Sequence, residues 1–528
     1  MKNLHRISIL YLIFPFLLFL FGWFRLSIAI PISLIIIFTL YKLLKNNSPI
    51  LQLPKYSITN YQLLPSAFCL LLTGSWLFLS GIGGYAFQNW DHHWRNAVFH
   101  DLINFDFPVY YSQPENGPIK MLVYYVGYWL PSALIGKYFD WGIANLFLFL
   151  WSWLGVILVT LQFSNFLKTS PIKTTLLLIF FSGLDSLGVL FFPQEYPTLF
   201  PFVTHLEIWS GNLQYSSFTT QLFWVFNQAI PAWLSIIVIA SRWPSSHEVA
   251  YRDQAKQSHD ELGIAWDEEQ ERPRNDIVIF LWSLCFFFAP IASIGLLPYV
   301  LIEIFKNTNL KSLFKNINYS ILASSIIIFL LSYFFFSANT AAQTRGLQII
   351  PFKEFIFFFL LEGGILWLLL APIKYRDPRW IVTGVLLIII PFIQIGSGRD
   401  FVMRASIAPL FYLMILTGET IFSKQTKQKL LIPIYLLLFI GALAPLYEIN
   451  RSIYRTYEYY FILDEEQRLT TLPMPATEIQ PAGRLEAEHP NRLVADEIVS
   501  LEFMQGELAE NFIANVRQTL YYKYLAKR

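Results

Sequence analysis

Runs of about 17–25 apolar residues recur along this chain, each long enough to cross about 30 Å of hydrocarbon. Backbone polar groups inside lipid must be satisfied within their own segment, so such runs fold as membrane helices. Hydrophobic residues fill 55% of the 528 positions and charged residues 14%, whereas a soluble domain carries about a quarter charged residues. The chain reads as an all-α polytopic membrane protein with about thirteen transmembrane helices. They lie near 7–23, 26–44, 61–82, 142–163, 174–192, 222–241, 277–290, 293–305, 317–336, 354–371, 380–396, 405–422 and 430–447. The net charge of +2 says nothing about nucleic acid, and no nucleic-acid partner is expected. Cys69 and Cys285 fall inside apolar runs, so neither a disulfide framework nor a cysteine metal site is indicated. Lys2, His5 and Arg6 precede the first run without a small-residue cleavage site, and a second run starts at Leu26. A retained hairpin fits better than a signal peptide.

Orientation follows from lysine and arginine in short loops. Lys42, Lys45, Lys55, Lys168, Lys173, Lys306, Lys311, Lys315, Lys374, Arg376, Arg379, Lys424, Lys427 and Lys429 fall on one side. Placing them in the cytoplasm puts the N-terminus inside, the C-terminus outside, and all of 83–141 outside a cytoplasmic (inner) membrane. The semi-apolar stretch 121–136 is then re-entrant or interfacial. The expected organisation is an N-terminal hairpin and cytoplasmic linker (1–60), a membrane core (61–447) and a small external C-terminal segment (448–528). The loop 243–275 is placed in the cytoplasm; with Asp276 it carries nine acids against four basic residues after Arg242, and it reads as a solvated insertion. In the tail, an amphipathic helical pattern runs through about 495–526, and no internal repeat is visible.

Ionisable groups are costly near lipid, so they mark substrate or ion sites. The polar stretch 89–111, NWDHHWRNAVFHDLINFDFPVYY, is the first candidate. As a helix it sets Asp91 and Arg95 at i and i+4, with His92, Asn96 and His100 on a second stripe. Asp91 is the candidate general base, supported by His92, Arg95 and Asp101; the plainer alternative is an interfacial helix solvated by its ion pair. A metal bound by His92, His100 and Asp101 is the less favoured option, because the spacing matches no strong pattern. Asp185, beside Gly183, suits either a helix break or a functional role. His205 and Glu207 precede a stretch rich in hydroxyls, amides and aromatics, whose Tyr215, Trp224, Asn227 and Gln228 suit a sugar. An aromatic belt would look similar. Arg399 and Arg404 in GSGRDFVMRASIAP, with Arg345 in ANTAAQTRGLQ, stand where positive charge is disfavoured, and binding a phosphate accounts for them. Pairing of Arg399 with Asp400 and snorkelling of Arg404 is the alternative.

Together these pieces resemble the glycosyltransferase C superfamily, polytopic enzymes that use polyprenyl-phosphate-linked sugars, and in particular an uncharacterised bacterial branch of membrane proteins. Asp91 stands where that superfamily carries an acid in its first large external loop. Within PIKMLVYYVGYWLPSALIGKYFDWG (118–142), Lys120, Tyr124, Tyr125 and Trp129 resemble the family's stretch before the next span, without its paired prolines. The loop with Arg399 and Arg404 resembles its lipid-phosphate site. His92 follows Asp91 where a second acid is common, leaving Asp101 or Asp106 as the nearby alternatives. The resemblance covers roughly 61–420 and implies transfer of a sugar, with inversion, from a polyprenyl phosphate to a glycan, lipid or protein acceptor at the external face. It implies external interfacial helices, contacts with membrane lipids and no required cofactor. A transporter or flippase for a lipid-linked or small polar solute is the rival from another class. It requires buried ionisable groups in mid-span. A third reading is an inactive scaffold of the same fold whose tail binds a partner.

Overall fold

The computed structural model describes residues 2–45, 63–192, 206–241, 275–305, 318–339, 345–396, 398–462, 500–501 and 507–528. All thirteen apolar segments read from the sequence are helical over most of their length. Among the described residues, nine helices are long and apolar enough to cross a membrane. Four further apolar helices, Ala67–Leu79, Asp276–Phe288, Pro290–Phe305 and Pro378–Phe392, are shorter. The architecture is that of an all-α, multi-pass membrane protein.

Helix starts are fixed by short polar side chains that accept from otherwise orphaned backbone N–H groups. Asn89 caps Trp90–Asn104 by accepting from Asp91 N, Asp140 caps Trp141–Leu167 through Ile143 N, and Ser217 caps Phe218–Ala240 through Thr220 N. Phe218–Ala240 and Asp400–Ile421 are buried along almost their whole length and form the centre of the bundle. The N-terminal hairpin is part of that core. Tyr11 stacks on Trp151 with ring centroids 4.2 Å apart, and Phe16 meets Phe287 edge-on. Thr39 hydrogen-bonds to Ser324 at 2.9 Å.

Two candidate spans are broken rather than continuous. Pro171–Phe191 is interrupted between Phe180 and Asp185, and Phe352–Lys374 passes through a π turn at Leu360–Gly364. The stretch 121–136 does not span. It forms strand β2 (Lys120–Leu122), a single turn at Val126–Tyr128 and the short helix Leu130–Gly136, with most of its side chains buried in protein. Strand β1 (Tyr110–Ser112) pairs antiparallel with β2. A second, two-stranded sheet joins β3 (Arg345–Leu347) to β4 (Ile393–Ile395).

The C-terminal segment departs from expectation. Its helical periodicity predicts an amphipathic helix through about 495–526, yet the described residues of that stretch form a short turn, strand β5 (Ile513–Asn515) and a π turn at Tyr521–Leu525. β5 pairs with β2, setting Lys120 opposite Asn515 and Leu122 opposite Ile513. The unpaired edge of β2 offers a full ladder of backbone partners, and tertiary pairing of this kind overrides local propensity. Tyr521 closes the segment against the hairpin, donating to the Trp23 carbonyl at 2.8 Å.

One close approach fixes the helix that carries Arg404. A Cβ on Gly295 would lie 2.0 Å from the Ala405 carbonyl oxygen, so only glycine lets Pro290–Phe305 pass there. Gly295→Ala is expected to cost about 1–3 kcal/mol of stability by forcing the helices apart. Thermal unfolding in detergent checks this; an unchanged midpoint would mean that the two helices are not held in contact.

Candidate functional site

Two acid–arginine pairs, each four residues apart on a helix, meet around a pair of tyrosines. On Trp90–Asn104, Arg95 Nη2 donates to Asp91 Oδ2 at 2.7 Å. On Asp400–Ala405, Arg404 Nη1 donates to Asp400 Oδ2, also at 2.7 Å. In both, the acid is the more N-terminal partner, the favourable orientation against the helix dipole. The charges of Asp91, Arg95, Asp400 and Arg404 all act on the Tyr124 hydroxyl, and those of Asp400 and Arg404 also act on Tyr125. Asp91 and Arg404, far apart in the sequence, are thus electrostatic neighbours. Burial raises the Tyr124 phenol and pushes Tyr125 up to about 12, so both remain neutral hydroxyl donors near pH 7.

Both arginines keep donors in reserve. Buried Arg95 Nε and Nη1 and Arg404 Nε have no hydrogen-bond partner among the described residues. Unsatisfied buried N–H groups are rare in native proteins, and guanidinium nitrogens match the oxygens of phosphate or carboxylate. Asp91 is 31% exposed while Arg95 is 4% exposed, so the carboxylate is reachable and its partner is held from beneath.

The helix bearing Asp91 is anchored by its neighbours. The Phe218–Ala240 helix is kinked at Val225 (φ −134°, ψ 35°). Beside that kink the Phe223 carbonyl accepts from Asn89 Nδ2 at 2.7 Å and bonds to His92 Nε2 at 3.0 Å. Burial, and then the Arg95 charge, hold the His92 imidazole down to about 3. His92 is therefore a neutral structural donor near pH 7, not a proton shuttle. The unfolded chain takes up this proton below about 6.5, whereas the folded protein refuses it until about 3. The stabilisation is complete above pH 6.5 and is lost as pH falls towards 3, by about 2 kcal/mol at pH 5. Unfolding midpoints of wild type and His92→Gln, compared at pH 7 and 5, test this. The wild type should lose its advantage at the lower pH.

The other polar residues of this helix serve separate ends. Asn96 donates to Gln88 at 2.8 Å, and His100 faces Asp101 at 3.2 Å. Asp101 is fully buried and accepts from the Tyr111 hydroxyl at 2.8 Å and from Leu501 N at 2.9 Å. It ties the C-terminal segment to the helix. His92, His100 and Asp101 do not form a metal-ligating group among the described residues. Phe512 packs on Tyr124 with ring centroids 4.7 Å apart, and the Phe512 carbonyl accepts from Val123 N. The tail is part of the wall behind the tyrosines.

The remaining candidates lie deeper or elsewhere. Arg399 donates to Gln214 at 3.2 Å, and Gln214 donates in turn to Glu207 at 3.1 Å. Glu207 also accepts from Thr220 Oγ1 at 2.6 Å and from Ser217 N at 2.9 Å. Burial, then the nearby Asp185 carboxylate, push Glu207 up to about 8. Arg345 is exposed on β3, opposite Ile395, and Lys120 is exposed on β2. Tyr215 is buried with its hydroxyl donated to the Leu387 carbonyl. Trp224 donates to Glu448 at 3.4 Å and has the Arg451 guanidinium over its ring at 5.3 Å. Asn227 and Gln228 are fully buried with every amide atom unpartnered among the described residues. His205 lies outside the described residues.

Sequence reasoning passed over Glu362, Glu448, Arg451 and Phe512, and weighed Asp400 only as a partner for Arg399. Two of them left a legible signal. Glu362 interrupts the apolar run FFFLLEGGILWLLL just before two glycines, and Glu448 stands three residues before Arg451 at the end of a span. No family model matches the chain, and no curated protein or solved structure matches it.

Proposed function

We propose that this chain is a membrane glycosyltransferase that moves a sugar from a polyprenyl-phosphate donor to an acceptor at the external face of the cytoplasmic membrane. The supporting observation is the gathering of two reachable carboxylates, Asp91 and Asp400, with arginine donors that lack partners among the described residues. Asp91 meets Arg95 and Arg404 around Tyr124 and Tyr125. In this reading the Asp91 carboxylate takes the proton of the acceptor hydroxyl as that oxygen bonds to C1. The C1–O bond to phosphate breaks, and its electron pair leaves on the phosphate. Arg404 and Arg95, with the two neutral phenols, stabilise the growing negative charge. Attack opposite the phosphate inverts C1. All thirteen apolar helices cross or enter the membrane in this arrangement, with the N-terminus inside and the C-terminus outside.

Polarity of the bundle supports it. Arg404 and Glu419 lie at opposite ends of Asp400–Ile421, about 20 Å apart along the axis at 1.5 Å per residue. Glu419 binds Lys374 and Arg379 at the end rich in basic residues, so the proposed site occupies the opposite face. One observation favours the rival transporter reading: Asp185, Glu362 and Glu448 are buried inside the bundle, two of them at broken helices.

The test is Arg404→Ala in proteoliposomes supplied with a polyprenyl-phosphate-linked sugar. Loss of a charge-assisted contact to phosphate is expected to raise the donor KM about 10- to 150-fold and leave the acceptor KM unchanged. Equal effects on both substrates would remove the phosphate role. Solute movement without cleavage of the sugar–phosphate bond would favour the transporter.

A further inference from the structure

The two broken spans meet face to face, and each contributes a buried acid at the break. Leu184 N donates to the Leu361 carbonyl at 2.9 Å, so the interruption at 181–184 is stitched directly to the π turn at Leu360–Gly364. Asp185 follows the first interruption and is 1% exposed; Glu362 sits within the second and is 2% exposed. A Cβ on Gly183 would lie 2.3 Å from Glu362 Oε2, so the glycine makes room for the carboxyl. A small cavity opens at the same point, lined by Ser182, Gly183, Glu362, Gly363, Leu413 and Leu437.

The donors available do not satisfy the two acids. Ser182 Oγ donates to Asp185 Oδ2 at 3.0 Å, and Trp209 Nε1 donates to Glu362 Oε1 at 2.8 Å. The second oxygen of each, Asp185 Oδ1 and Glu362 Oε2, is buried with no N–H or O–H donor among the described residues. The two carboxyl groups instead lie within hydrogen-bonding reach of each other. Ionised carboxylates only accept, so a bond between two of them requires a proton on one. Two unprotonated acids here would be both desolvated and mutually repelling.

We propose that Asp185 and Glu362 form a proton-binding site at the junction of the two broken membrane helices, holding one proton between them at neutral pH. Glu207 is the third carboxyl facing this pair, through Asp185 and Glu362, and its link through Gln214 to Arg399 leads towards the loop that precedes Arg404. Glu448, ion-paired to Arg451 at 2.9 Å, faces Glu207 from the helix Leu443–Tyr457. The Tyr215 hydroxyl faces Glu362 from the other side. Among the described residues, no cation side chain pairs with either carboxyl of the dyad. Broken helices in membrane proteins are tolerated where they line a polar site, and a shared proton supplies that polarity here without a net buried dianion. This inference does not depend on sugar transfer.

Infrared difference spectroscopy of the full-length protein in nanodiscs tests the site directly. Wild type at neutral pH should show a protonated-carboxyl C=O band that shifts in D2O. That band should be lost in Asp185→Asn and in Glu362→Gln but kept in Asp91→Asn, and Glu207→Gln should remove only the separate band of the Glu207 carboxyl, which is pushed up to about 8. The exchanged pair Asp185→Glu with Glu362→Asp should restore the dyad band, which guards against single variants that do not fold. Absence of any such band in wild type at neutral pH would overturn the proposal. So would its persistence in both single variants, or its disappearance on adding sodium, which would make the site a cation site.

Discussion

Asp91→Asn should lower sugar transfer by about 10²–10⁴-fold, the usual contribution of a positioned general base, with little loss of folded protein. The geometry separates these two effects. Arg95 is buried, and its Nη2 is held by Asp91 Oδ2 at 2.7 Å; asparagine keeps an oxygen that can accept this bond, while it can no longer take a proton. Asp91→Ala, by contrast, abandons a buried guanidinium and should damage folding as well as turnover. Neither His92 nor Asp101 can substitute as base. His92 remains neutral, but its ring is tied to the Phe223 carbonyl, and burial with Arg95 keeps its proton affinity low, at about 3. Asp101 is fully buried under Tyr111 and Leu501 N. Turnover of Asp91→Asn in proteoliposomes, read beside its unfolding midpoint, decides the matter. Near wild-type turnover in a folded variant would remove Asp91 from the chemistry.

Glu419→Ala carries the largest expected loss of stability, about 3–5 kcal/mol, because it strands the buried Lys374 cation and removes one of the carboxylates that hold Arg379. Lys374 Nζ lies 2.5 Å from Glu419 Oε2, and Arg379 bonds to both Glu419 oxygens at 2.9 and 3.1 Å. These side chains are only 3–6% exposed. Asp377 pairs with Arg379 at 2.6 Å but cannot neutralise both cations. The cluster joins the ends of three helices, Phe352–Lys374, Pro378–Phe392 and Asp400–Ile421. Its loss would loosen the end of the bundle remote from Asp91. Glu419→Gln retains an acceptor oxygen and should lose less. Unfolding in detergent with increasing denaturant provides the measurement; a cost under about 1 kcal/mol would mean that water already screens the cluster, as it does surface pairs.

The elements most legible in the sequence were those whose cause is local. Asp91 and Arg95 stand four residues apart, and a helix capped by Asn89 is enough to pair them. The spacing of Asp400 and Arg404 works in the same way, although only the alternative reading gave Asp400 a partner, and that was Arg399. Arg399 turned instead to Gln214, a partner 185 positions away that no spacing rule reaches. Trp224 has the look of a sugar platform, but Arg451 covers its ring from a helix more than two hundred residues later. The helical periodicity of the tail was real as a pattern and gave way to the open edge of β2. Glu362 was passed over because a lone acid in an apolar run has no meaning until its neighbour across the bundle is known.

By itself, the sequence determined the membrane class, the positions of the helices and the Asp91–Arg95 ion pair, because hydrophobic burial in lipid and helix geometry act over tens of ångströms along one segment at most. Only the tertiary structure decided which pairs face each other. It brought Asp91 to Arg404 across Tyr124, set the Asp185 carboxyl against that of Glu362, and slotted β5 into the wall behind the site. The physical reason is range. Electrostatic and hydrogen-bond partners act within a few ångströms in space, and packing places such neighbours without regard to their distance along the chain.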